Sequence, residues 1–98
     1  MAGKGYWVVS LDVSDSAAYA EYQAFVQPFL ADNQGRFLIR GGRHEIVEGK
    51  SRSRQVVVEF PSYDDAVRVY HSDDYQRGMQ KRLGSSVADF VIVEGQAD

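Results

Sequence analysis

Apolar and polar residues alternate from Tyr6 to Val13, with Trp7, Val9, Leu11 and Val13 on one side and Tyr6, Val8, Ser10 and Asp12 on the other. A period of two predicts a strand with two unlike faces. Ser14-Asp15-Ser16 then offers side-chain oxygens for the free N–H groups of a helix start. From Ala17 to about Asp32 the apolar positions recur at helical spacing, in a stripe of Ala18, Tyr22, Phe25 and Phe29 flanked by Tyr19, Val26 and Leu30. Pro28 falls inside this stretch and predicts a kink, because it lacks an N–H and crowds the preceding turn.

Arg36–Arg40 predicts a second strand, interrupted at Gly41-Gly42 by a bulge or a close backbone approach and resumed from His44 to Glu48. Gly49-Lys50-Ser51 reads as a hairpin turn, and Arg54–Phe60 as the third strand, ended by Pro61. Ser62 and Asp65 have capping-box spacing ahead of a helix carrying Ala66, Val67, Val69 and Tyr70. A second helix start follows at Ser72-Asp73-Asp74 and leads to Tyr75, Met79 and Leu83; Gly84-Ser85-Ser86 ends it, and Asp89–Glu94 forms the last strand.

The order β-α-β-β-α-β predicts an α+β, ferredoxin-like chain: an antiparallel sheet with its helices on one face. Parity assigns Trp7, Val9, Leu11, Val13, Phe37, Ile39, Val56, Val58, Phe60, Phe90 and Ile92 to the helix-facing side. The opposite face receives Tyr6, Val8, Ser10, Asp12, Leu38, Arg40, Gln55, Val57, Glu59, Asp89, Val91 and Val93. That mixture is too apolar for a solvated face and too polar for a plain core. It suits the wall of a ligand cleft, or a face that a second copy of the chain covers. Two sheets meeting about a two-fold axis would close a dimeric α/β barrel, so a homodimer is expected.

Composition narrows the class. Ninety-eight residues predict one domain spanning 1–98. A charged fraction of 26% is that of an ordinary folded domain, and the chain has no cysteine with which to staple itself. A net charge of −3 and a pI near 5.3 argue against nucleic-acid binding, although Arg36, Arg40, Arg43, Arg52 and Arg54 make the middle segment locally basic. No stretch is apolar for long enough to be a membrane span, and the first residues carry no secretory pattern, so a cytoplasmic protein is expected. The two histidines lack a metal-ligand spacing and no phosphate-binding glycine loop is present; no metal or cofactor is expected.

Gly5-Tyr6-Trp7, Tyr19, Tyr22, Arg40-Gly41-Gly42, Glu48-Gly49 and Val57-Val58-Glu59-Phe60-Pro61 form a recognisable series. It continues with Tyr70-His71-Ser72-Asp73-Asp74-Tyr75, Arg82 and Ile92-Val93-Glu94-Gly95. Through these residues the chain resembles, nearly end to end, the family known as domain of unknown function 1330, within the dimeric α/β-barrel superfamily. The resemblance implies a ferredoxin-like subunit, a homodimer and a cleft between sheet and helices, and it implies no particular reaction. Relatives in the wider superfamily include cofactor-free monooxygenases, lactone isomerases, haem enzymes and ligand-sensing domains, so fold alone does not choose among functions.

Arg40 leads the candidate ligand-binding residues: its guanidinium offers a planar fork for a carboxylate, and Gly41-Gly42 lets a ligand approach. An ion pair with Glu59 on the same face is the equal alternative. Glu59 is also a candidate general base, and His71 a candidate proton-transfer group near neutral pH. Tyr6, Ser72 and Tyr75 complete the expected ligand-binding set. Against this, Ser72 has the place of a helix cap and Tyr70 and Tyr75 that of core residues. Arg82 either reaches the cleft mouth or bonds helix-end carbonyls, with the second reading ahead. Three functions follow: binding of a small, anionic or aromatic molecule; cofactor-independent isomerase or monooxygenase chemistry; or a structural, partner-binding dimer.

Overall fold

The computed structural model describes residues 3–97; Met1, Ala2 and Asp98, at the ends of the expected 1–98 unit, lie outside the described residues. Strand β1 (Gly5–Val13) is followed by α1 (Ser16–Asp32), β2 (Arg36–Arg40), β3 (Arg54–Phe60), α2 (Tyr63–His71), α3 (Asp73–Leu83) and β4 (Ser86–Glu94). The strands form one antiparallel sheet in the order β2-β3-β1-β4, the ferredoxin-like arrangement that the element order predicts. The helices cover one face only, and the molecule is a slab of 41 × 36 × 17 Å.

Local chemistry accounts for most boundaries. Asp15 caps α1 by accepting from the Ala18 N–H at 3.1 Å, and Ser62 caps α2 by accepting from the Asp65 N–H at 3.0 Å. Ser72 serves both neighbours: its hydroxyl donates to the Val69 carbonyl at the end of α2 and accepts from the Tyr75 N–H at the start of α3. Pro28 lies on the exposed side of α1, which continues through it to Asp32. Strand β4 begins at Ser86, three residues before the expected start, because its first residues extend the ladder with β1 through Asp12↔Val87 and Val13↔Ser86.

Two sequence expectations fail between residues 38 and 53. The extended run expected from His44 to Glu48 is not a strand; residues 41–53 form an exposed connection between β2 and β3. The bulge also comes earlier than Gly41-Gly42. Phe37 faces Val58 and Ile39 faces Val57, so Leu38 is the extra residue and the faces of β2 exchange there. Ile39, expected among the helix-facing residues, therefore lies on the open face, 46% exposed. Arg40, expected on the open face, lies opposite Val56 on the helix side.

The core is centred on Trp7, whose ring packs against Phe60, Tyr75 and Phe90 at 4.9–5.2 Å between centroids. Its indole N–H donates to the Ala66 carbonyl at 2.9 Å, so the buried ring leaves no polar atom unsatisfied. Helix α2 presses close onto β1, β3 and β4, whereas α1 makes its close backbone contact with α3. That contact is made at Gly78, where a Cβ would occupy the space taken by the Phe25 ring. Glycine inside a helix costs about 1 kcal/mol against alanine, and here it lets the two helices approach.

Candidate functional site

Because α1 leans on α3 more than on the sheet, a cavity remains beneath it. Its floor is Val9, Leu11, Val56 and Val58, its aromatic walls include Trp7, Tyr19, Tyr22, Phe37 and Phe90, and its polar groups are Arg40, Arg54, Arg82 and the tyrosine hydroxyls. The inner space, open in part to the outside, is about 40 Å³, room for roughly three water molecules. No acidic side chain lines it, in a chain with 14 Asp and Glu residues and a net charge of −3. Positive charge is gathered here and negative charge lies elsewhere.

Arg82 is the most unusual member. It follows Tyr75 and Gly78 at i+7 and i+4 on the buried stripe of α3, and only 5% of it is exposed. Its guanidinium stands over the rings of Tyr22 and Phe90, 5.5 and 5.6 Å from their centroids. Among the described residues no carboxylate lies within 4 Å of it. Burial works against its charge, but the Tyr75 and Tyr22 hydroxyls more than offset this and the guanidinium remains protonated. Those hydroxyls are 2.8 Å apart. Burial pushes the Tyr22 phenol far above its ordinary value, with a further rise from Tyr75, so it acts as a neutral hydrogen-bonding group.

Arg54 and Arg40 stand on the other side of the cavity. Arg54 lies over the Tyr19 ring at 5.8 Å, and its buried Nε has no hydrogen-bond partner among the described residues. Gly41, at φ +71°, is in the left-handed region that favours glycine, and the Arg54 guanidinium lies against it. At Gly41 the near neighbour is thus the Arg54 side chain, not the backbone or ligand expected there, and nothing among the described residues crowds Gly42. Arg40 lies over Phe37 at 4.8 Å and donates to the Gln27 side-chain oxygen at 2.9 Å.

The remaining candidates do not meet at this cavity. Tyr6 and Glu59 are on the opposite face of the sheet, where the Tyr6 hydroxyl donates to Glu59 at 3.1 Å. The ion pair considered for Arg40 and Glu59 is formed instead by Arg36, at 3.1 Å, since Arg36 lies opposite Glu59 in the register and the bulge turns Arg40 away. Burial, and then the bond to Glu59, raise the Tyr6 phenol above its ordinary value. Tyr75 is fully buried in the core, Ser72 is used in capping, and His71 is exposed at the end of α2 with its ring edge-on to Tyr70. Among the described residues no three His, Asp or Glu side chains come together as a metal site, and no helix there is long and apolar enough to cross a membrane.

The open face has its own order. The register aligns Ile39, Val57, Val8 and Val91 in one row across all four strands, with Leu38 and Val93 nearby, and all but Val57 are among the exposed large apolar residues. Polar rows flank it: Arg36, Glu59 and Tyr6 on one side, Gln55, Ser10 and Asp89 on the other. At the far corner Arg52 bridges Asp12 and Asp89 at 3.1 and 2.9 Å.

With these features in place, the comparisons agree on the class. A ferredoxin-like chain of this kind matches, over residues 4–96, the family described as a domain of unknown function, DUF1330. The chain belongs to that family. Its fold is similar to that of a protein of unknown function from Rhodopseudomonas palustris, with 14% identity, coverage of 98% of this chain and 85% of that one, and a TM-score of 0.74. It is also similar to SnoaB, a cofactor-independent oxygenase from Streptomyces nogalater, with 14% identity, coverage of 98% and 96%, and a TM-score of 0.63. No curated protein matches the chain.

Proposed function

We propose that the chain binds a small organic anion in the cavity between α1 and the sheet, with Arg82 as the anchor and Arg54 and Arg40 at the opposite side. The observation that carries this reading is the Arg82 guanidinium, buried and charged without an acidic partner among the described residues. The phenols hold the proton on this guanidinium but carry no negative charge themselves, and a ligand carboxylate or enolate supplies that counter-charge. The inner 40 Å³ is smaller than such a ligand. The ligand would extend to the open side of the cavity or displace α1, the helix held to the sheet mainly through side chains. A screen of small carboxylates by thermal shift tests the proposal. Hits should raise the melting temperature of the parent, a ligand at 100 times its Kd adding about 2.7 kcal/mol, and Arg82→Met should abolish the rise. Hits that stabilise both proteins equally would remove Arg82 from the site.

The working unit in this reading is a homodimer of the 1–98 unit, in the cytoplasm, as the cysteine-free composition permits. Support comes from the aliphatic row on the open face with its polar flanks, the apolar-centre, polar-rim composition of a self-complementary interface. Light scattering on the eluting peak should give twice the chain mass, and Val8→Lys should halve it. A parent protein of single-chain mass at micromolar concentration would rule the dimer out.

A cofactor-independent oxygenase or isomerase is the second reading. The same cation beside aromatic walls can stabilise an enolate or phenolate as charge develops on oxygen, and the fold is shared with SnoaB. Turnover of a thermal-shift hit, lost in Arg82→Met, would select it over binding alone.

A further inference from the structure

We propose that the ligand is two-ended: an apolar body with an anionic group at each end, one for Arg82 and one for Arg54, as in a short-chain or aromatic dicarboxylate. This rests on the reading of the cavity as an anion site and adds to it the number and placement of the charges. Arg54 carries the step. Its Nε is buried and has no partner among the described residues, whereas Arg40 already bonds Gln27. A buried donor left unmade is costly, so it marks a place where an acceptor belongs.

The sheet and α3 bring the two arginines in from different sides. Arg54 is on β3, opposite Leu11. Arg82 reaches in from α3 above Phe90, which lies on β4 opposite Val9. Strand β1 runs between β3 and β4, so Arg54 enters from one side of the floor and Arg82, held above Phe90, from the other. The floor between them, Val9 and Leu11, is aliphatic, and Tyr19 and Tyr22 of α1 roof it. A single carboxylate at Arg82 leaves Arg54 unanswered; a second acidic group across an apolar body reaches it.

Tyr19 and Arg54 also line a second, open depression of about 390 Å³ beside the cavity, together with Gly41, Gly42, His44 and Gln23. No acidic side chain lines this depression either. Arg54 is therefore the charged group shared by the outside approach and the inner space, and it holds the outer end of the ligand.

Calorimetric titration of the parent with matched one- and two-ended probes tests this: benzoate against terephthalate, and hexanoate against adipate as a flexible pair. In at least one pair the diacid should bind about tenfold tighter or more, the gain from one added charge-assisted contact. Arg54→Met should erase the advantage of that diacid over its monoacid, the two then binding that variant equally, while Arg82→Met should weaken both. Equal binding of monoacid and diacid in both pairs, or equal weakening of both by Arg54→Met, overturns the two-ended ligand and leaves the Arg82 site standing. If no probe binds the parent at millimolar concentration, the carboxylate site itself is overturned. Circular dichroism of each variant confirms that loss of binding is not loss of fold.

Discussion

The space between helices and sheet has two halves that obey opposite rules. Beneath α2 and α3, Trp7, Phe60, Tyr70, Tyr75 and Phe90 pack ring against ring, and the indole N–H has a carbonyl partner. Beneath α1, three arginines enter an apolar space that no acidic residue shares, and one buried nitrogen has no partner among the described residues. The first half is what a protein builds when burial serves stability, with apolar area removed from water and polar atoms answered within the chain. The second holds its cations against rings, phenols and an amide, with no carboxylate among its lining residues, and leaves a place for an anion from outside. The contrast locates function more sharply than any single residue type does.

Substitutions in the closed half should therefore cost more stability than substitutions of the three arginines. Trp7→Ala removes the ring at the centre of the cluster and should lower unfolding free energy by about 3–5 kcal/mol in urea titrations. Gly78→Ala forces a methyl group against Phe25 and should cost about 1–3 kcal/mol as α1 is pushed from α3. Ser72→Ala removes a cap shared by two helices and should cost about 1 kcal/mol. Loss of less than half these amounts would mean that the closed half is looser than its contacts imply.

The smallest effect is in the pH dependence. Tyr22 has its folded-state pKa raised above the ordinary 10.0, first by burial and then by Tyr75. The folded chain thus keeps a proton that the unfolded chain loses. The corresponding stability is fully present below pH 10 and is lost as pH rises beyond it. Tyr22→Phe should flatten the alkaline arm of the stability curve by about one proton; an unchanged slope would show that the phenol is not held neutral by its surroundings.

The sequence pattern carried the fold further than it carried the site. Alternation in β1, β3 and β4 placed Trp7, Val58 and Ile92 on the helix side and Val8, Val57 and Val91 on the other, as the register shows. Side-chain parity is rigid within an unbroken ladder, so one strand predicts its neighbours. It fails across a bulge. Leu38-Ile39, two aliphatic residues in succession, were the local sign that alternation breaks there, one step before the residue that mattered most, Arg40. Arg82 was legible in principle, since Tyr75, Gly78 and Arg82 share a helical stripe. A basic residue in a last helical turn ordinarily faces water and the helix-end carbonyls, and that prior outweighed the spacing. Residues 41–53 carried strand-forming Ile46 and Val47 but find no neighbouring strand to pair with, and Val47 is 77% exposed.

The claim that most needs testing is that Arg82 serves a ligand and not the fold. Urea unfolding of the ligand-free parent and of Arg82→Met, side by side, measures it directly. Methionine keeps the apolar stem and removes the charge, and among the described residues it leaves no carboxylate unpaired, so the loss is confined to contacts with the Tyr22 and Tyr75 hydroxyls. The account predicts a variant within about 1.5 kcal/mol of the parent, the worth of one ordinary hydrogen bond. A variant less stable by about 3 kcal/mol or more, the cost of breaking a buried charge network, would make Arg82 a structural residue and contradict the account.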